Sequence, residues 1–136
     1  MIVIDTNVLA HALIEGPWTH EARSLLERHE WTAPELIRSE FQNVLASYGR
    51  VNQLAFEDCL PYWLVADNLL QSHLSAPDRV RALELAFQSG LTTYDTQFAA
   101  LAEQHETVLV TEDKQLLDRF PQTTASIRQY LDPKHP

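Results

Sequence analysis

Hydrophobic residues along this chain follow two rhythms, and the switch between them marks the elements. Ile2-Val3-Ile4 is a short, wholly apolar, β-rich run, the pattern of a buried parallel strand. Thr6 to Ile14 has helical spacing, and Gly16-Pro17 breaks it. His20 to Glu30 predicts a second helix with Ala22, Leu25 and Leu26 on one face, and Trp31-Thr32-Ala33 a short strand. Pro34 suits the start of a helix running to about Tyr48, with Leu36, Ile37, Phe41, Val44 and Leu45 turned inward. Asn52 to Leu70 is mostly helical, with Pro61 expected to kink or restart it. Gln71 to Ala76 has room for a short strand. Pro77 opens a helix carrying Val80, Leu83, Leu85, Ala86 and Phe87, which Gly90 ends. Tyr94 to Gln104 reads as helix, Thr107 to Val110 as the clearest strand after the first, and Glu112 to Arg119 as a short helix stopped by Pro121. Thr124 to Leu131 has no decisive pattern.

Strands alternating with helices predict an α/β fold, a three-layer α/β/α sandwich around a central, mainly parallel sheet. The 136 residues fit one domain, 1–136, with no internal repeat or linker. Ligands of such folds bind beyond the carboxyl ends of the strands, which directs attention to whatever follows Ile4 and Val110.

Composition narrows the function. The net charge is −9 with ten Lys plus Arg, too few for a protein that coats nucleic acid through a basic face. An enzyme that grips phosphates through metal ions on its own carboxylates stays compatible, and so does a basic protein partner. Cys59 is the only cysteine, so no intrachain disulfide forms and a reducing compartment fits. The N-terminus lacks a basic start and meets Asp5 early, unlike a signal peptide. No stretch approaches the roughly 18 apolar residues of a membrane span. A cytoplasmic protein without a membrane association is expected.

Two acids, Asp5 and Asp113, sit where the strand ends are predicted; Glu40 and Asp95 lie in or beside helices with apolar neighbours. Singly, each has an ordinary explanation. Asp5 and Asp95 would serve as helix N-caps, Glu112 and Asp113 as first-turn acids favoured by the helix dipole, and Glu40 as a solvated helix position. Together they read differently. Glu40 falls three residues after Ile37 and four before Val44, at the border of the apolar stripe, with no Lys or Arg four residues away. An acid there needs a partner or a cation, because burying a lone charge costs several kcal/mol or shifts its pKa. A hard divalent ion, which prefers oxygen ligands, meets that need.

The segments VIDTNVLAHAL, SEFQNVL, TTYDTQFAALAEQ and VLVTEDKQLL, in this order between residues 2 and 117, resemble the four signature segments of PIN domains, and within them the VapC-like toxins of bacterial toxin–antitoxin pairs. The resemblance implies that Asp5, Glu40, Asp95 and Asp113 are the catalytic, metal-holding acids, with Thr6, Asn7 and Thr111 as supporting polar groups. It implies a compact α/β/α fold, hydrolysis of RNA phosphodiester bonds with Mg²⁺ or Mn²⁺, a homodimer, and a cognate antitoxin as partner. All four acids are present.

Other residues carry less. His11, six positions after Asp5, is expected to be structural or at the surface, and Lys114 to be solvated. Arg38 points off the face that carries Glu40. Trp18, Tyr62 and Trp63 are expected in core packing, with a protein interface as the alternative if exposed. A haloacid-dehalogenase-like phosphatase would need a second acid where Asn7 stands and a later lysine. A receiver-like module would need an early acidic pair. A non-catalytic PIN-fold binding module is the rival from another class.

Overall fold

The computed structural model describes residues 1–132. The last four residues of the single domain expected over 1–136 lie outside the described residues. In chain order the elements are β1 (Ile2–Ile4), α1 (Thr6–Leu13), α2 (Thr19–Arg28), β2 (Trp31–Thr32), α3 (Leu36–Val51), α4 (Phe56–Leu70), α5 (Arg79–Ser89), α6 (Thr93–Gln104), β3 (Leu109–Val110), α7 (Lys114–Arg119), β4 (Thr124–Ala125) and α8 (Ile127–Leu131).

The sheet order is β2-β1-β3-β4, and all three pairings are parallel. Val3 lies opposite Thr32 on one side and Leu109 on the other. Successive strand residues point to opposite faces, yet Ile2, Val3 and Ile4 are all at 1% exposure or less. Both faces are therefore covered, which is why these strands read as unbroken apolar runs rather than alternating ones. Helix α6 packs along β1 and β3 and is backed by α5, while α1 gathers α2, α3 and α4 around itself. The α5–α6 seam is made of Leu85 with Ala82, Ala99 and Ala100, whose small side chains let the two helices approach.

The structure departs from the sequence expectations in instructive places. Helix α4 runs through Pro61 without restarting. The ring sits in the helix's second turn, exposed to solvent, and its missing N–H removes one helical bond. The strand expected at Trp31 to Ala33 ends at Thr32, and Ala33 instead forms an isolated parallel bridge with Leu74, the short pairing for which Gln71 to Ala76 had room. Helix α3 continues three residues past Tyr48, to Val51. The undecided end resolves into edge strand β4 and helix α8, whose N-terminus is closed by a reciprocal Ser126–Gln129 capping box. Gly90 takes φ 76° and terminates α5, a left-handed conformation natural to glycine. On α5 itself only Ala82, Leu85 and Ser89 are buried, whereas Val80 and Phe87 are more than 80% exposed.

Candidate metal centre

The sheet edge is built by hydrogen bonds that carry the chain from strand into site. Asp5 N–H donates to Val110 C=O at 3.0 Å, and Thr111 N–H to Ala125 C=O at 2.9 Å, so both residues stand one step beyond the carboxyl ends of neighbouring central strands. Asp5 is 8% exposed and its carboxylate is held on three sides. Oδ1 accepts from Thr6 N–H at 2.8 Å, and Oδ2 accepts from the Thr111 hydroxyl at 2.6 Å and the Asn7 amide at 3.2 Å. Thr111 is fully buried, and its oxygen in turn accepts from Asp113 N–H and the Asn7 amide. The Asn7 carbonyl accepts from Glu112 N–H at 3.1 Å. These polar groups tie the start of α1 to the start of α7, and they do so because buried donors and acceptors must be paired.

The other acids arrive from three further elements. Glu40, half-buried on α3, accepts from the Thr6 hydroxyl at 2.6 Å. Asp95 stands in the first turn of α6, but it is not the cap of that helix. Thr92 is, accepting from Asp95 N–H at 3.2 Å, so the capping explanation for Asp95 fails. Asp5 and Asp113 do cap α1 and α7; Asp113 Oδ1 accepts from Gln115 N–H at 2.8 Å. Capping and site membership are compatible, since a carboxylate has two oxygens. Asp5, Glu40, Asp95 and Asp113 line one pocket of about 480 Å³ with Thr6, Asn7, Asn43, Val44 and Ser47. Thr111, behind Asp5, completes the set expected from sequence.

The electrostatics show the cost of this gathering. Burial raises Asp5 from 3.8 to about 6; the Thr111 and Thr6 hydrogen bonds oppose the rise, and the charges of Asp113 and Asp95 add to it. Burial also raises Glu40, tempered by Thr6 and reinforced by Asp5 and Asp95, and it raises Asp95, reinforced by Asp113. Among the described residues that line the pocket, none is Lys, Arg or His. Arg38 is engaged elsewhere, with Asp67 at 2.9 Å and Glu35 at 3.0 Å. Among the described residues, no three acid, His or Cys side chains stand together at the spacing of a formed coordination shell. The donor chemistry nonetheless fits a hard divalent ion: all oxygen, four negative charges, no thiolate or imidazole, and no competing protein cation.

Several surrounding residues are settled by the same geometry. Asn7, the position where a dehalogenase-like phosphatase needs a second acid, spends its amide on Asp5, Thr111 and Glu112. His11 lies half-buried near Trp18, with ring centroids 6.3 Å apart, outside the pocket. Tyr62 and Trp63 are partly buried against the core, and Lys114 is exposed. Glu112 Oε1 accepts from Ile127 N–H at 2.8 Å and so anchors α8. Asn43 and Ser47 were missed from sequence, although both fall on the helical face of Glu40, three and seven residues on. A separate cleft of about 410 Å³ between α3 and α4, lined by Leu45, Leu54, Phe56 and Leu60 among others, is apolar and distinct from the acids.

Comparison with known proteins agrees with this architecture. Ribonuclease VapC3 of Pyrobaculum aerophilum is 27% identical over 131 residues, spanning 88% of this chain and 95% of that one. The crystal structure of PAE2754 from Pyrobaculum aerophilum has a TM-score of 0.76 at 22% identity, covering 95% of this chain and 92% of that one. A toxin–antitoxin complex from Klebsiella pneumoniae gives a TM-score of 0.64 at 17% identity, over 93% of this chain and 98% of its own. At these identities the two structures establish a common fold. The PIN domain family model matches residues 2–121, from β1 through the end of α7 and so through every acid of the pocket, and the chain accordingly belongs to the PIN domain family.

Proposed function

We propose that this chain is a divalent-metal-dependent endoribonuclease acting as one domain, the toxin of a toxin–antitoxin pair. The observation that carries the reading is the gathering of four carboxylates from separate elements into one pocket without a cation among its lining residues. The likeness to a protein named a ribonuclease supports the RNA substrate, and the likeness to a toxin–antitoxin complex supports an antitoxin partner.

Asp5, Glu40, Asp95 and Asp113 would hold Mg²⁺ or Mn²⁺, which when bound supplies a water of lowered pKa and charge stabilisation for phosphodiester hydrolysis. The chain's own groups prepare that site. Thr111 and Asn7 fix Asp5, and Thr6 fixes Glu40, so ligand orientation is set before binding. Burial and neighbouring charge raise the Asp5 pKa to about 6 and push those of Glu40 and Asp95 up, so the site loads better as the pH rises and these three acids ionise. The helix face formed by the exposed Val80, Leu83 and Phe87 supports homodimer formation. RNA as substrate and the reduced Cys59 suit the cytoplasm; no helix among the described residues is long and apolar enough to cross a membrane.

The test is cleavage of single-stranded RNA with Mg²⁺, with Mn²⁺ and with chelator, for the wild type and Asp95→Asn. Metal-dependent cleavage that Asp95→Asn abolishes at unchanged melting temperature is the expected result. Wild type inert with both ions, or Asp95→Asn fully active, overturns it.

A further inference from the structure

The pocket's polar lining divides into groups already spent and groups still free. Thr6 donates its hydroxyl to Glu40, and Asn7 uses its amide on Asp5, Thr111 and Glu112. Asn43 differs: its side chain makes no hydrogen bond among the described residues, and it is exposed on the pocket wall. Ser47, one turn further along α3, accepts only a 3.4 Å contact from Arg50 Nη2, and its hydroxyl hydrogen is unspent. With Glu40 the two form an i, i+3, i+7 row, a track about 10 Å long leading out of the acid cluster.

The chemistry of the track suits one kind of ligand. A lysine or arginine on this wall would pair with the four acids and occupy the place of the metal. Neutral groups do not compete in that way. An amide and a hydroxyl each donate and accept, which matches a ribose 2′-hydroxyl, itself donor and acceptor, and its neighbouring phosphate oxygens. Resting on the ribonuclease reading, we propose that Asn43 and Ser47 bind substrate, hydrogen-bonding the ribose and adjoining phosphate of the nucleotide next to the cleaved bond and so favouring RNA over DNA.

The experiment compares Asn43→Ala, Ser47→Ala and Asn43→Gln with wild type, using one short single-stranded RNA in Mn²⁺ and a DNA of the same sequence as competitor. Both positions are exposed on a helix, where alanine is a strong helix former, so folding is not at stake. Each alanine variant is expected to raise KM for RNA about five- to tenfold, the value of one hydrogen bond. The rise in melting temperature caused by Mn²⁺ stays that of wild type, Asn43→Gln recovers part of the loss, and inhibition by DNA changes less than about twofold. KM within about twofold of wild type for both alanine variants overturns the proposal, as does a loss of the Mn²⁺-induced melting shift, which marks a structural role. An equal loss toward DNA overturns the ribose assignment. Wild type that cleaves beside unaffected Asn43→Ala and Ser47→Ala isolates this failure from that of the ribonuclease reading, which falls if wild type itself is inert.

Discussion

Replacing Asp5 with Asn should stabilise the metal-free protein at neutral pH, although Asp5 makes three hydrogen bonds and caps a helix. The carboxyl is pushed from 3.8 to about 6 in the fold. A gap of about two pH units, at about 1.4 kcal/mol each, means that the ionised group costs the fold about 3 kcal/mol. The sign follows from linkage. A carboxyl with a raised folded pKa holds its proton more tightly in the folded state. Its contribution is full below 3.8 and is lost as the pH rises through about 6. Asn carries no charge and keeps an oxygen for Thr6 N–H, but its NH₂ meets two donors, the Thr111 hydroxyl and the Asn7 amide, mismatches of about 1 kcal/mol each. The net gain is about 1 kcal/mol above about pH 7, or about 4 °C in melting temperature for a domain of this size. Melting curves in chelator across about pH 4.5 to 8 check this, and the gain should close toward the acid end. In excess Mn²⁺ wild type should rise by ligand linkage and Asp5→Asn less. If Asp5→Asn melts below wild type by the same margin at both ends of the pH range, the charge carries no strain and Asp5 is a cap only.

Three more outcomes follow. Thr111→Val deletes a buried hydroxyl that donates to Asp5 and accepts from Asp113 N–H, and it should lower stability by about 2–3 kcal/mol in denaturant titrations at neutral pH; a loss under about 0.5 kcal/mol contradicts the network. A basic peptide should bind with Kd weakening at least about tenfold between low and high salt by calorimetry, because the chain is at −9; equal affinity at both salts counts against an electrostatic partner. Val80→Ser with Phe87→Ser should convert a homodimer to monomer in sedimentation while leaving protomer stability within about 0.5 kcal/mol, since both side chains are exposed; a persistent dimer moves the interface elsewhere.

The sequence alone determined the elements that local chemistry dictates. β1 is an apolar triplet, α5 is bounded by Pro77 and Gly90, and Tyr94 to Gln104 reads as helix, so the alternation that makes an α/β sheet was readable before any contact was known. The four acids were readable too, because the segments around them resemble a family whose pattern spans the chain, and because Glu40 borders an apolar stripe with no partner in helical reach. Tertiary structure decided what depends on distant residues. That β4 exists at all rests on Leu109 and Val110 offering an edge to Thr124 and Ala125, two residues with no strand signal of their own. That Thr111 holds Asp5 and meets Asn7 rests on contacts more than 100 positions apart along the chain. The exposure of Val80 and Phe87 was likewise invisible, because helical periodicity shows that a face is apolar but not whether anything is packed against it. Local propensity travels with the residue, whereas burial and charge repulsion belong to the space the fold encloses. The raised pKa of Asp5 therefore exists only in the folded chain.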